Sequence, residues 1–195
     1  MRTFHVVLSI MLLALAATPA RADGFVTPFY GFNFGGDSSN CATFSSCDDK
    51  RANFGVSIGK MGPVLGFEED ISFAKDFFGK VPNVDNSVFT LMSNVLIGVG
   101  AGPVQPYVLA GAGLIRPHAS SDLRKFDTKN NSLGYDLGAG VNGYVSRHVG
   151  IRGDIRRFHT LQDVDIPLLG DIATQIFETR KLDFWRASFG IAFRY

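Results

Sequence analysis

From residue 23 onward, eight segments read as strands, roughly 24–35, 51–61, 64–74, 88–99, 105–116, 133–145, 148–158 and 183–195, and in six of them an apolar row alternates with a polar or small one. The last is the plainest. Trp185, Ala187, Phe189, Ile191, Phe193 and Tyr195 form one row, and Arg186, Ser188, Gly190, Ala192 and Arg194 form the other. A period of two is the mark of a β-strand with unlike faces. The pattern predicts an all-β chain of eight strands.

The connections sort by length. Tight turns join the second strand to the third at Met61-Gly62-Pro63, the fourth to the fifth around Gly100–Pro103, and the sixth to the seventh around Ser146-Arg147. Long polar loops occupy 36–50, 75–87, 117–132 and 159–182. Short and long alternate, so all the short turns fall at one end of an up-and-down sheet. A soluble meander has no reason to sort its loops this way, whereas a barrel that crosses the outer membrane does. The expected fold is an eight-stranded antiparallel up-and-down transmembrane β-barrel.

The two faces agree with that fold. Leu133, Tyr135, Leu137, Ala139 and Val141 oppose Gly134, Asp136, Gly138, Gly140 and Asn142. Val149, Ile151 and Ile155 oppose Arg152, Asp154 and Arg156, and Leu65, Phe67, Ile71 and Phe73 oppose Gly66, Glu68, Asp70 and Ser72. The row opposite the apolar face mixes glycines with charges of both signs, which suits the crowded interior of a narrow barrel. The apolar row is therefore expected to face lipid. Glu69 falls on that row, where a charge is costly. Either a bulge shifts the register or Glu69 lies near an interface. The uncharged stretch Ser87–Ile115 is interrupted by Gly98, Gly100, Gly102, Pro103 and Pro106, and so is two strands and a turn rather than a helix.

The amino terminus sets the compartment. Arg2, an apolar run from Val6 to Ala17 and the sequence Thr18-Pro19-Ala20-Arg21-Ala22 are the parts of a secretory signal peptide. Residues 1–22 are the expected signal, and 23–195 the mature barrel. Removing Arg2 and Arg21 from 19 basic residues leaves 17 against 18 acidic, a balance that argues against nucleic acid. Cys41 and Cys47, in a Ser- and Asn-rich stretch of an exported chain, are expected to form a local disulfide. No metal site or cofactor is expected, because two cysteines without a nearby His make no zinc site.

The segments "PYVLAGAGLIR" (Pro106–Arg116) and "LGAGVNGYVSRHVGIRGDIRRF" (Leu137–Phe158) resemble the small outer-membrane β-barrel domain of OmpA-like and porin-like surface proteins of Gram-negative bacteria. The terminal "FGIAFRY" resembles the closing-strand signal that such proteins present to the barrel-assembly machinery, with Phe189, Phe193 and Tyr195 as its aromatic positions. The resemblance implies an outer-membrane location and a structural or surface-interaction role without enzymatic activity. The chain ends at the last strand, so the periplasmic peptidoglycan-binding domain of full OmpA proteins is not expected.

Candidate chemistry concentrates inside. Glu68, Asp70, Asp136, Arg152, Asp154, Arg156 and Arg186 share the inward rows. They would form either a salt-bridged plug or, in a passive pore, a gate or selectivity filter, since an unpaired buried charge is expensive. Arg152-Gly153-Asp154 spells an integrin-binding tripeptide, but inside a strand. His118 and Ser120 are spaced like the His-x-Ser pair of outer-membrane lipid A deacylases and define an alternative hydrolase reading. Basic residues recur at strand ends: Lys50, Arg51, Lys75, Arg116, Arg157, Arg180 and Lys181. They would meet the anionic sugar phosphates of lipopolysaccharide or simply snorkel. The segment Asp163–Phe177 is unusually apolar for a surface loop.

Overall fold

The computed structural model describes residues 22–38, 51–78, 85–121, 126–129, 131–161, 164–167 and 177–195. Eight long strands close a barrel: β1 (Asp23–Phe34), β2 (Arg51–Met61), β3 (Leu65–Lys75), β4 (Asp85–Gly98), β5 (Val104–Ser121), β7 (Ser132–Tyr144), β8 (Val149–Thr160) and β11 (Asp183–Arg194). Every neighbouring pair is antiparallel. β4 pairs with β5, and β1 pairs with β11, so no edge is left. The seam is completed by Gly24 and Tyr195, whose backbones exchange hydrogen bonds of 3.0 and 2.9 Å. Closure is obligatory for a sheet in lipid, where an open edge has no water to satisfy it.

The strands run where alternation places them, with one extension. The fifth strand reaches Ser121 rather than ending near Arg116, because residues 118–121 pair with the short β6 (Phe126–Lys129) in a hairpin beyond the barrel wall. A second hairpin, β9 (Val164–Pro167) with β10 (Phe177–Arg180), stands in the stretch expected to be a loop. The three short turns are tightly bonded. Gly62 N–H donates to Leu65 O at 2.9 Å, and Ala101 N–H donates to Val104 O at 2.7 Å. Ser146 Oγ accepts from His148 N–H and Val149 N–H at 3.3 and 3.0 Å. Gly102 turns the chain at φ 65°, a conformation that favours glycine.

The outward row of β11 answers the question its alternation raises. Phe189 is 61% exposed, and Trp185, Ile191, Phe193 and Tyr195 share its face, while Arg186 on the other row is 1% exposed. A soluble protein does not wet such a row and bury its arginines. The apolar rows of all eight strands face outward and form the lipid band, with Tyr135 and Trp185 near its long-loop end and Tyr195 at its short-turn end.

Glu69 lies on that band with no shift of register. Ile58 opposes it on one side and Ser93 on the other, and the pairing of β3 with both neighbours is continuous. The bulge alternative is thereby removed. Leu65 and Phe67 precede Glu69 on the outward row, and Ile71 and Phe73 follow it. It therefore stands inside the band rather than at an interface. Its compensation is local: Ser93 Oγ reaches both carboxylate oxygens, at 3.0 and 2.8 Å.

The pair gives a direct test. Ser93→Ala should destabilise the barrel by about 1–3 kcal/mol, the cost of leaving a polar group without its donor in an apolar setting. In a Glu69→Leu background the same change should be nearly neutral. Urea unfolding in lipid vesicles measures the double-mutant cycle, and additive effects would show the pair to be uncoupled.

Candidate functional site in the barrel lumen

The inward rows stack three layers along the barrel axis. Near the short turns, Phe25 on β1, Met61 on β2, Leu96 on β4 and Tyr107 and Leu109 on β5 form an apolar cluster. Near the long loops, a second cluster joins Val88, Met92, Ile115, Phe158, Phe184 and Leu182 with Phe77, which enters from the chain just beyond β3. Asp76 makes that entry by adopting φ 54°, its N–H donating to Asn86 O at 2.8 Å. The rings of Phe158 and Phe184 stack at 4.9 Å, and Phe77 meets Phe184 edge-on at 4.8 Å.

Between these clusters lies the charged layer. Arg156 is its hub. It is fully buried, and it reaches Glu68 at 2.9 Å, Asp154 at 3.0 Å, Asp70 at 3.4 Å and Asp136 at 3.7 Å. Arg152 binds the other Glu68 oxygen at 2.7 Å and Asp154 at 3.1 Å. Arg186 crosses from β11 to β3, donating to Asp70 at 2.8 Å and Ser72 at 2.9 Å. Neutral groups complete the shell: Ser57 donates to Asp70, Asn94 to Glu68, and Tyr107 and Ser188 to Asp154, at 2.7–3.2 Å. All seven charged residues expected inside are inside, and they form one connected network. Asp136 is its least engaged member, since neither carboxylate oxygen has a hydrogen-bond partner among the described residues.

The apolar layers also hold the arginines. The Arg186 guanidinium carbon lies 4.9 Å from the Phe29 ring centre and 4.8 Å from that of Phe158. Arg152 lies 4.8 Å from Tyr107 and 5.5 Å from Phe25. Such faces attract a cation most strongly when it is desolvated. Alternation alone does not assign these aromatics to the site, although the signal is present. Phe158 and Phe184 continue the parity of Arg156 and Arg186 along their own strands. Phe77 stands outside any strand and leaves no periodic trace.

Glycines make the room. A Cβ at Gly138 would lie 2.6 Å from Ile155 O and 2.9 Å from Arg156 Cγ, and one at Gly140 would collide with the Tyr107 hydroxyl. The small residues of β7 are thus the space into which the hub arginine and its tyrosine neighbour fit.

The remaining candidates fall elsewhere. Arg152 and Asp154 of the Arg-Gly-Asp tripeptide are buried in the charged layer. His118 occupies the outward row of β5 and is half-buried; Ser120 falls in the part of β5 that pairs with β6 beyond the barrel wall. Lys75, Arg116, Arg157 and Lys181 are exposed at strand ends, whereas Arg51 turns into the lumen. Arg157 pairs with Asp183 at 2.8 Å and stacks over Trp185. Phe189, Phe193 and Tyr195 lie on the outward row, with Phe189 opposite Tyr30 and Phe193 opposite Val26. Cys41, Cys47 and Lys50 lie outside the described residues, as does residue 163 with the segment 168–176.

Comparison with known proteins matches this geometry. The family model of the outer membrane protein beta-barrel domain covers residues 7–193. Among solved structures, Neisserial surface protein A is 17% identical with a TM-score of 0.59, over 88% of this chain and 95% of that one. The attachment invasion locus protein Ail of Yersinia pestis, solved with the heparin analogue sucrose octasulfate, is 12% identical with a TM-score of 0.58, over 89% and 99%. A major outer membrane protein of Thermus thermophilus is 16% identical with a TM-score of 0.54, over 90% and 100%. At these identities the likeness is one of fold. No curated protein sequence matches the chain.

The hub and the rim should respond differently to the same chemistry. Arg156→Met leaves several buried carboxylates short of a cation and should cost about 3–5 kcal/mol. Arg157→Met removes a solvent-exposed pair and should leave the unfolding midpoint nearly unchanged. Unfolding midpoints of the two variants in vesicles check the contrast, and equal losses would refute the hub.

Proposed function

We propose that this chain, which belongs to the outer membrane protein β-barrel family, is a non-enzymatic, non-conducting surface barrel whose lumen is a structural plug. The observation that carries the reading is the layering: a fully buried ion-pair network held between two aromatic-rich apolar clusters. A pore needs a continuous hydrated path, and here the axis is crossed three times by packed side chains. The pore rival asks the charged layer to act as a filter, but its groups are committed to one another. What remains for interaction is the exterior: the long loops, their hairpins and the rim.

The family places the barrel in the outer membrane. We read residues 1–22 as a cleaved export signal, and the start of β1 at Asp23 supports that boundary. In this orientation the short turns and both mature ends lie on the periplasmic side, and the long loops face outward. The exposed bases Lys75, Arg116 and Lys181 then stand at the height of anionic outer-leaflet sugar phosphates, which makes lipopolysaccharide the expected rim partner.

Planar bilayer recordings of the purified protein should show at most rare, small openings. Steady, large channels from the unmodified barrel would promote the pore instead. The closing strand makes a second case. Deleting Phe193, Arg194 and Tyr195 removes the Gly24–Tyr195 bonds and the aromatic end of the resembled assembly signal. The truncated chain should accumulate unassembled and protease-sensitive in cells. Normal membrane levels of it would count against a role for these residues in assembly.

A further inference from the structure

One stretch of the lumen wall carries donors that the charged network does not use. Arg51, Asn33 and Arg186 are direct cross-strand neighbours on β2, β1 and β11, so their inward side chains stand in one row. Arg51 Nε, both amide atoms of Asn33 and Arg186 Nε are buried without a hydrogen-bond partner among the described residues. Asn33 is 1% exposed and Arg51 8%. Arg51 makes no ion pair among the described residues. The acid least engaged by the network, Asp136, is on β7, four strands away from β2 in either direction round the barrel.

Buried polar groups of native proteins find partners, and each that does not asks for an explanation. In this row the want is one-sided. The two guanidinium groups offer only donors, and the Asn33 amide offers two more N–H bonds, against a single unpaired acceptor, Asn33 Oδ1. A cationic, donor-rich niche of this kind fits an anion. With Asn33 almost wholly enclosed, a small anion fits the row better than a large one, and Arg51 is the first inward residue of β2 at the long-loop end.

We propose that Arg51, Asn33 and Arg186 form a binding site for a small monovalent inorganic anion of the halide class, taken up through the long-loop end of the lumen. The bound ion neutralises Arg51, which the four acids of the central layer do not reach, and ties β2 to β1 and β11 beside the seam where the barrel closes. The site borders the ion-paired layer through Arg186, whose Nη atoms hold Asp70 and Ser72 while its Nε is left over.

The test compares thermal unfolding of the folded barrel in vesicles with sodium chloride, sodium bromide or sodium gluconate at one ionic strength. Chloride and bromide should raise the midpoint by roughly 2–4 °C over gluconate, which is too large for the site. Chloride-35 line broadening on adding folded protein reports the same binding without unfolding. Arg51→Gln should abolish both signals. Asn33→Leu, which fills the niche without touching a charge, should do the same and serves if Arg51→Gln fails to fold. Lys60→Gln, at an exposed base on the outward face of β2 near the short turns, should leave both intact. Equal midpoints in the three salts with no line broadening overturn the proposal. So does a chloride effect that survives the Asn33 and Arg51 substitutions, or one that Lys60→Gln removes equally.

Discussion

Arg156 stands where no bulk water reaches it, and the barrel is arranged around that fact. A guanidinium cannot shed its proton to escape burial, so its charge must be met by protein. Four carboxylates from β3, β7 and β8 supply the answer, and each comes from a different height or strand. Three arginines and four acids in contact cannot be satisfied by one pair at a time. They fix the relative positions of β3, β7, β8 and β11 across the lumen, which backbone pairing between neighbours does not do. The hydrogen-bonded wall sets local register. The ion-paired layer sets which walls face each other.

The aromatic layers make that layer possible as much as they seal it. They exclude water from both sides, which strengthens the attraction among the charges and raises the cost of any charge left alone. The faces of Phe29, Phe158 and Tyr107 return part of the lost hydration to Arg186 and Arg152. The outcome is a lumen with no cheap intermediate state. Opening a path would expose apolar clusters and break ion pairs together. This coupling argues for a plug over a gate, because a gate needs two arrangements of similar free energy.

Much of this was legible in the sequence because a barrel wall is one residue thick. Inward and outward rows are fixed by parity alone, so seven charged residues could be placed inside and the terminal aromatics outside from alternation. Loop lengths gave the topology for the same reason. What parity could not give is distance across the lumen. That Arg186 of β11 would reach Asp70 of β3 rather than a nearer strand depends on shear and on side-chain volumes. Glu69 was the reverse case: parity placed it correctly on the lipid face and left it unexplained, since its compensation is Ser93, an ordinary residue on another strand. Phe77 lay beyond parity altogether, in a turn whose left-handed residue sends the ring back into the mouth.

The two polar intrusions, Glu69 outside and the charged layer inside, are solved at different scales, and the difference follows from what surrounds them. On the lipid face a carboxylate has neighbours only along the sheet, so the single cross-strand hydroxyl of Ser93 must serve. In the lumen every side chain has neighbours all round, and glycines such as Gly138 and Gly140 hollow the wall so that long side chains can cross it. A barrel with bulkier inward residues on β7 would push Arg156 away from Glu68 and Asp154, and the network would lose its hub. The glycines on the inward row are therefore part of the ion-paired layer's construction, although none of them carries a charge.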